Sequence, residues 1–492
     1  MDDVQKMITR RKTLSLIAGA AAAGTLASYG LFSTQSQTPK QTRDIREVLA
    51  EAGRVNPPDH YVEFMEWLAE VSKNIETGKE PTVALMAESA ALAVQRIDGE
   101  FFHVSGIASK LDVSPYPVHV SKTLSSLTVG ASIYDAVAVE SFDVNLFINY
   151  FTPVQDFMEK YREYTYEKFR LDDFIPESLN LVGVYPPKLD SGGEKGNVVM
   201  LPFSTPTMIT FYRRDIYEKN GHEPPATWEE YLEDLKTLNN PSEGFFGTAQ
   251  QVGSDVGIVT EFNNLVHSFG GRLFEVSDGK IFPVMDSDAV VEALRTYSSI
   301  RPYADPASIS YDWDAVATAM RRGRIVHAIL WQDYAWMMDD PVRSVVVNKV
   351  GYKPNPAGPA GSFHQFVGDG VGLVRNGKNP VAMWLWLQWA TEVGTRIMLM
   401  LDEKARVVPI RKSVLMDRNV QSNLENPKFS SVRVVKEILE MKQVASIPPL
   451  PRANQVFFIM GRYLRSGWSG ADPRQTLREM KNEIESLGSL SY

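Results

Sequence analysis

Residues 197–219 of this chain, NVVMLPFSTPTMITFYRRDIYEK, decide its fold. Two short runs, 198–201 and 208–212, are almost wholly apolar, and a segment of proline and hydroxyl side chains separates them. Strands that are apolar at every position are covered on both faces, whereas a half-exposed strand alternates apolar and polar residues. The stretch therefore predicts two buried strands of an α/β protein, joined by a short connection.

The same kind of run recurs along the chain, separated by segments with helical periodicity. The further predicted strands are Thr82–Met86, 136–139, Ile325–Trp331 and 371–374. Helix starts are legible between them, because Thr227 and Glu230 are spaced as a capping box and a proline follows a capping residue at Asn379 and Asp472. Alternating strands and helices predict central sheets flanked by helices.

The composition excludes several classes of protein. The net charge of -9, with no basic stripe, argues against a nucleic-acid partner. The chain has no cysteine, which excludes disulfides, thiolate nucleophiles, cysteine zinc sites and a cysteine-linked lipid anchor. Its histidines form no i, i+4 pair, and it has no phosphate loop, nucleophile elbow or HExxH metal helix. We therefore expect no cofactor, no metal and no enzymatic activity.

Paired carboxylates leave one enzymatic alternative open. The pairs are Asp286/Asp288, Asp312/Asp314 and Asp339/Asp340. Two carboxylates can hydrolyse a glycosidic bond by acid and base catalysis, and Asp312, Asp314 and Glu140 are the first candidates for that role. Because each pair lies where a predicted helix begins or ends, helix capping explains the pairs more simply.

The N-terminus has the pattern of an export signal. Arg10 and Arg11 precede residues 15–32, which are small, apolar or hydroxyl-bearing. This pattern predicts a twin-arginine signal with its linker over residues 1–40. An uncleaved membrane anchor is the alternative, because the apolar stretch approaches spanning length. Either interpretation places the rest of the chain outside the cytoplasm, and residues 41–80 follow as a predicted helical extension.

The segment 197–219, continued by PPATWEE at 224–230, closely resembles the central signature of family 1 extracellular solute-binding proteins, the maltose-binding-like sugar receptors. Further blocks follow that family's order, so the resemblance covers most of the chain from Thr82 onward. The blocks are DAVAVES (135–141), FNNLVHSFGGRLF (262–274), AMRRGRIVHAILW (319–331), ARVVPIRKSV (405–414) and GADPRQTL (470–477). One block alone is a weak signal, whereas the set in this order is specific.

The resemblance implies a two-lobed, type II periplasmic-binding-protein-like fold with hinge crossovers, one of them at 201–212. It implies a first lobe formed by residues 81–206 and 350–400 and a second formed by residues 207–349 and 401–492. A monomeric receptor of this kind captures a sugar or oligosaccharide between its lobes and delivers it to the permease subunits of an ABC transporter. A secreted carbohydrate-active hydrolase and a sensory binding module without an importer are the alternative functions.

Site residues are expected where strands end, because ligands of open α/β sheets bind beyond the carboxyl ends of the strands. A sugar needs flat aromatic surfaces for its C–H faces and fixed polar groups for its hydroxyls. Trp331 is the principal candidate, as an aromatic platform beside Gln332 and Asp333. The complete predicted ligand-binding set is Glu88, Glu140, Ser141, Phe142, Ser204, Thr205, Thr207, Trp331, Gln332, Asp333, Gly368 and Asp369.

Other conspicuous residues have simpler interpretations. Trp384, Trp386 and Trp389 lie within one predicted helix and are expected to pack in the core rather than to stack on a sugar. Arg411 is expected to pair at the surface. His267 stands where the resembled family often has tryptophan, so the exact ligand stays open.

Overall fold

Two sheets organise the chain from Ile45 onward in this computed structural model, which describes residues 44–76, 80–131, 133–186, 196–277 and 279–491. The strands of these residues are β1 (Thr82–Met86), β2 (Lys110–Ser114), β3 (Ala136–Glu140), β4 (Val184–Tyr185), β5 (Asn197–Val198), β6 (Met200–Ser204), β7 (Met208–Arg213), β8 (Phe246–Thr248), β9 (Phe274–Ser277), β10 (Lys280–Pro283), β11 (Ile325–Trp331), β12 (Val350–Lys353), β13 (His364–Gln365), β14 (Asp369–Leu373), β15 (Val444–Ala445) and β16 (Leu490–Ser491). The first sheet has the order β2-β1-β3-β14-β6, and the second has the order β12-β7-β11-β8. The remaining strands form the ladders β16-β10-β9, β13-β15 and β4-β5.

The first sheet mixes strand directions. β1 runs parallel to β2 and β3, whereas β14 runs antiparallel to β3 and β6. All five residues of β3, β6 and β14 are buried, as expected for strands covered on both faces. The predicted α/β class is confirmed, but β14 begins two residues earlier than predicted, and the predicted run 198–201 is divided between β5 and β6.

The chain passes between the two sheets through short connections. β6 ends at Ser204 in the first sheet and β7 begins at Met208 in the second, so residues 205–207 form the first connection. The return runs from β12 to β14 by way of β13. β12 falls within the range predicted for the first lobe, yet it forms an antiparallel ladder with β7 of the second sheet, where Tyr352 packs on Phe211 at 4.9 Å between ring centroids. The other lobe boundaries stay a prediction.

Helices cover the sheets. The α-helices of the described residues are Ile45–Glu51, Asp59–Val71, Ser89–Ser105, Tyr116–Thr128, Val144–Phe147, Val154–Lys160, Pro176–Ser178, Arg214–Asn220, Trp228–Leu238, Asp255–Ser268, Asp288–Ile300, Trp313–Arg321, Ala335–Met338, Pro380–Thr391, Val393–Leu401, Lys412–Met416, Arg418–Leu424, Ser430–Met441, Ala453–Trp468 and Pro473–Ser486. Short 3-10 turns occur at Ser72–Asn74, Ser141–Asp143, Ile148–Tyr150, Arg162–Tyr164, Leu171–Asp173, Pro241–Glu243, Arg301–Tyr303, Pro306–Ser310, Gln332–Tyr334 and Pro427–Phe429, and a π-helical turn occurs at Leu179–Gly183.

The predicted helix caps have different outcomes. The capping box is confirmed, because the Glu230 backbone N–H donates to the Thr227 hydroxyl at 3.2 Å and the Glu230 carboxylate accepts from the Thr227 N–H at 3.3 Å. Asp472 also caps its helix through its side chain. The helix start predicted at Asn379 and Pro380 is confirmed, but the Asn379 side-chain amide donates to the Asp135 carboxylate at 3.3 Å and makes no cap hydrogen bond.

The N-terminal extension packs into the core around the first sheet. The predicted twin-arginine signal and linker at 1–40 lie outside the described residues, and across the described ranges no helix is both long and apolar enough to cross a membrane. From the extension, Tyr61 is fully buried, and its hydroxyl donates to Glu100 at 2.8 Å and accepts from the Trp389 indole at 3.1 Å. Gly394 permits this approach, since a Cβ there would lie 2.5 Å from the Tyr61 nitrogen.

Two expectations about large side chains are settled by burial. The predicted core packing of the three tryptophans is confirmed, because Trp384, Trp386 and Trp389 are all inaccessible to solvent. The surface pairing predicted for Arg411 is wrong. Its guanidinium is buried 4.0 Å from the ring centroid of Phe174 and donates to backbone carbonyl oxygens and to an aspartate, so stacking and hydrogen bonds compensate its burial.

Candidate functional site

Three of the predicted site residues meet at one edge of the first sheet. Asp369 opens β14, and its Cα is paired with that of Glu140, which ends β3, and with that of Ser204, which ends β6. Directly opposed residues of antiparallel strands project their side chains to the same face. Glu140, Ser204 and Asp369 therefore line one patch at the ends of these strands.

Glu140 is a buried carboxylate held by the backbone around it. Its Oε1 accepts hydrogen bonds from the Ser141 N–H at 2.8 Å, the Ser141 hydroxyl at 2.7 Å and the Gly368 N–H at 2.9 Å. Burial nevertheless raises the pKa of Glu140 to about 7, because desolvation outweighs the bonds that favour its charged form. The hydrogen bonds thus fix the position of the side chain, whereas its protonation state depends on the charges of neighbouring groups.

Asp369 carries an oxygen with no partner. The residue is 2% exposed, and its Oδ1 makes no hydrogen bond to the described residues. Burial raises its pKa well above the ordinary value, the charge of Glu140 raises it further, and the guanidinium of Arg396 acts in the opposite direction. Arg396 lies on the helix Val393–Leu401, is 1% exposed, and leaves Nε and Nη1 without partners among the described residues.

Glu88 follows β1 and adds another carboxylate to this patch. Burial raises the pKa of Glu88 well above its ordinary value, and the charges of Asp369, Glu140 and Asp333 raise it further. A hydrogen bond with the Ser204 hydroxyl favours its charged form. Within the described part of the chain, its Oε2 is also buried without a partner.

The second sheet contributes the residues that follow β11. The Gln332 N–H donates to the Thr207 carbonyl at 2.9 Å, which ties the end of β11 to the first connection between the sheets. The Gln332 amide nitrogen donates to the Arg406 carbonyl, and its Oε1 has no partner among the described residues. Burial raises the pKa of Asp333 to about 7. Hydrogen bonds with Ser89, which follows Glu88 beyond the end of β1, act in the opposite direction because they favour the charged form of Asp333. Asp333 therefore faces the carboxylates of the first sheet.

Aromatic side chains line the neighbouring surface. Phe142 packs 5.0 Å from Phe457 and 6.1 Å from Tyr116, between ring centroids. Trp331 is buried within the same apolar cluster as Phe142 and Phe457. His267 instead lies beside Phe363, and burial lowers its pKa to about 4. The cluster joins side chains that follow the first sheet to side chains of the second.

The remaining predicted residues shape the backbone of the site. A Cβ at Gly368 would lie 2.1 Å from the Ser204 carbonyl oxygen, so the close approach of these strands requires glycine there. The Thr205 hydroxyl is bonded to the Ser178 hydroxyl at 3.0 Å. Thr207 is fully buried, and in the described chain its Oγ1 has no partner. The connection 205–207 is thus a structural part of the site as well as a link between the sheets.

The structure adds residues that the sequence interpretation missed. Gln250 and Gln251 follow β8 and are buried, each with one side-chain polar atom that lacks a partner among the described residues. β8 is only three residues long and contains glycine and threonine, so it lacks the apolar run used to find strand ends. Arg396 interrupts the apolar helix sequence VGTRIMLML, and that isolated charge was the signal available in the sequence.

The site as a whole is rich in hydrogen-bond acceptors. Its ionisable side chains are the carboxyl groups of Glu88, Glu140, Asp333 and Asp369 and the guanidinium of Arg396. Such a set can bind hydroxyl or ammonium donors. Among the described residues, no group of three or more histidines or carboxylates has the arrangement needed to hold a metal ion.

Comparison with known sequences identifies related proteins. The model of the family described as bacterial extracellular solute-binding protein matches residues 134–396. A probable amino-acid ABC transporter periplasmic-binding protein of Sinorhizobium fredii is 22% identical over 416 residues, which cover 82% of this chain and 88% of the relative. An erythritol/L-threitol-binding protein of Mycolicibacterium smegmatis is 21% identical, with 59% of this chain and 62% of the relative covered.

The fold has counterparts among solved structures. A solute-binding protein of an ABC transporter from Agrobacterium radiobacter K84, solved in complex with ribitol, superimposes with a TM-score of 0.70 at 24% identity. The match covers 84% of this chain and 99% of that protein. This likeness confirms the two-lobed architecture predicted from the sequence.

Proposed function

The chain belongs to the bacterial extracellular solute-binding protein family, and from that premise we propose that it is a receptor that captures a polyol or sugar between its two lobes. The captured solute then passes to the permease subunits of an ABC transporter. The protein acts outside the cytoplasm, as a monomer and without a cofactor. Its lobes correspond to the two sheets, and the connection 205–207 is one of the crossovers about which they close.

The observation that carries this proposal is the convergence of polar side chains from both sheets, each with a buried oxygen atom. Glu88 and Asp369 come from the first sheet, Gln332 and Asp333 follow β11 of the second, and each leaves an oxygen without a partner among the described residues. Burying an unpaired polar group costs on the order of 1–3 kcal/mol. A ligand that donates hydrogen bonds to both sets stabilises the arrangement in which they face each other.

The ligand class is proposed from the aromatic and polar character of the site together with the relatives. Phe142 and Trp331 are buried beside the polar groups and offer apolar surfaces for C–H faces. The related proteins described above include one named for erythritol and L-threitol and one solved with ribitol. Small polyhydroxy compounds fit both observations.

The carboxylate pairs have structural roles that support a binding protein over a hydrolase. The Asp312 side chain accepts from the Ala315 N–H at 2.9 Å and so caps the helix Trp313–Arg321. Asp314 accepts from the Tyr334 hydroxyl at 2.5 Å. Both carboxylates are therefore engaged within the fold, and we propose that the protein performs no chemistry on its ligand.

A thermal-shift screen of the full chain against neutral sugars and polyols tests the proposal. A ligand present at one hundred times its dissociation constant adds about 2.7 kcal/mol to the free energy of unfolding, which raises the melting temperature. The same ligand should change the tryptophan fluorescence. We expect Trp331→Ala to abolish both responses if that side chain contacts the ligand.

The matched control is Trp67→Phe, which alters a tryptophan that packs on Phe64 and Tyr166 in the N-terminal extension. This variant should retain binding. Incubation with oligosaccharides, followed by an assay for new reducing ends, should detect no turnover. Turnover that Glu140→Gln abolishes, or the absence of any ligand across a library of sugars, polyols and their amines, would refute the receptor proposal.

A further inference from the structure

The acceptor-rich site raises a question about its ligand that the family does not answer. Glu140 and Asp369 are opposed at the ends of β3 and β14, and the charges of Glu88 and Asp333 act on the same group. The guanidinium of Arg396 acts on Asp369 alone among these carboxylates. Carboxylates removed from water without a cationic partner are strongly destabilised in their charged form. Beside a neutral solute these carboxyl groups would keep favouring their protonated forms, whereas a cation would stabilise their charged forms.

The unpartnered atoms point to the same ligand property independently of the charges. Thr207 is fully buried in the connection that follows Ser204, the residue paired with Asp369, and its Oγ1 has no partner among the described residues. Its carbonyl accepts from the Gln332 N–H, and over the same part of the chain the Gln332 Oε1 also lacks a partner. With the carboxylate oxygens, these atoms form a group in which acceptors outnumber donors among the described residues. An ammonium group carries three donors and no acceptor, so it matches an excess of acceptors better than a hydroxyl does.

We propose, on the basis of the receptor function proposed above, that the preferred ligand is a small polyhydroxy compound bearing a protonated amine. The ammonium lies among Glu88, Asp333 and Asp369, and the hydroxyls bind the remaining polar groups. Charge-assisted hydrogen bonds of this kind are shorter and stronger than those between neutral groups. The charge of the Arg396 guanidinium also favours the charged form of Asp369.

Protons are the other occupants of these carboxylates. Burial raises the pKa of Asp333 to about 7 and those of Glu88 and Asp369 well above their ordinary values. An ammonium among them favours their charged forms, so binding near neutral pH releases protons to the buffer.

Other titratable groups border the cluster. Asp143 lies beside Glu140 and accepts from the Tyr116 hydroxyl, and Asp314 lies beside Asp333 and accepts from the Tyr334 hydroxyl. These tyrosines keep both aspartates hydrogen-bonded. Burial also raises the pKa of Asp143 to about 6, so variants of the cluster members are needed to assign the proton release to the cluster rather than to Asp143.

The experiment compares matched pairs of solutes by calorimetry with the full chain at pH 7. Each pair consists of a neutral compound and its amine: sorbitol with glucamine, glucose with glucosamine, and ribitol with 1-amino-1-deoxyribitol. We expect at least one amine to bind tenfold or more tightly than its neutral partner, a difference of about 1.4 kcal/mol. Its binding enthalpy should depend on the ionisation enthalpy of the buffer, because protons are released.

Asp369→Asn keeps the shape of the side chain and removes its charge. This variant should weaken binding of the amine at least tenfold more than it weakens binding of the neutral partner. The matched control is Asp98→Asn, which alters a partly buried aspartate bonded to Ser109 and Trp386 outside the site and should keep the preference for the amine. Circular dichroism of each variant establishes that it is folded.

The outcomes separate this inference from the receptor proposal. If neutral solutes bind as tightly as their amines, or if the preference survives both Asp369→Asn and Glu88→Gln, the amine inference is refuted and the receptor proposal stands. If calcium chloride binds at the site and competes with the solutes, the cluster holds an inorganic cation and the amine inference fails. If no compound of either kind binds, both proposals fail.

Discussion

Glu140→Gln should make the free protein more stable at alkaline pH, because it removes a buried carboxylate without removing its hydrogen bonds. The glutamine carbonyl oxygen can accept the three bonds that Oε1 now accepts from Ser141 and Gly368. Burial raises the pKa of Glu140 from 4.5 to about 7, so the folded protein binds this proton more tightly than the unfolded chain does. The group therefore favours folding at low pH, and that contribution is lost as the pH rises from about 4.5 to about 7.

The expected magnitude follows from the difference between the two pKa values. Each unit corresponds to about 1.4 kcal/mol, so a shift from 4.5 to about 7 costs the folded state on the order of 3 kcal/mol once the group is charged. Most of that cost is present at pH 8, and less than about 1 kcal/mol is present at pH 5. Glu140→Gln should thus stabilise the protein by about 2 kcal/mol more at pH 8 than at pH 5.

The assay is urea unfolding at both pH values, with the free energy of unfolding obtained by linear extrapolation. Glu159→Gln, at an exposed position of the helix Val154–Lys160, is the control and should change stability by less than about 0.5 kcal/mol. An equal effect of Glu140→Gln at the two pH values, or a loss of stability at pH 8, would contradict the assignment of a buried, responsive charge to this side chain.

Three further substitutions test the packing at the site and in the core around the first sheet. Gly368→Ala places a methyl carbon 2.1 Å from a backbone carbonyl oxygen, and it should lower stability by about 2 kcal/mol or more and abolish ligand-induced stabilisation, as measured by thermal melting. Arg411→Met leaves the aspartate that it contacts without a cation, and urea unfolding should show a loss of about 3 kcal/mol. Tyr61→Phe removes the hydroxyl that joins Glu100 to Trp389 and should cost about 1–3 kcal/mol in the same assay, with no change in ligand affinity by calorimetry.

Long apolar strands could be predicted because burial on both faces leaves a direct trace in the sequence. Thr82–Met86 and Ile325–Trp331 have the predicted bounds for that reason. β8 and β12 leave no such trace, since they are short and include glycine, threonine, tyrosine or lysine. Their places depend on backbone pairing with β11 and β7, which only the folded chain provides.

The candidate site, like the strands, could be predicted from the sequence only in part. The strand-end rule led to Glu88, Glu140 and Asp369, and the structure brings these residues together. Arg396 was missed because the direction of a helical side chain depends on how the helix Val393–Leu401 packs. Arg411 was misjudged because its isolated charge says nothing about the aromatic rings that cover it.

The contact between Tyr61 and Gly394 sets the smallest piece of this protein that can be expected to fold. The family match begins at residue 134, yet Gly394 near its end lies against the backbone of Tyr61, a residue more than seventy positions before that start. A shortened chain restricted to the matched region would expose Trp389, and the surface that Tyr61 covers, to water. Expression trials and domain fusions should therefore keep the helices Ile45–Glu51 and Asp59–Val71, whatever is removed before them.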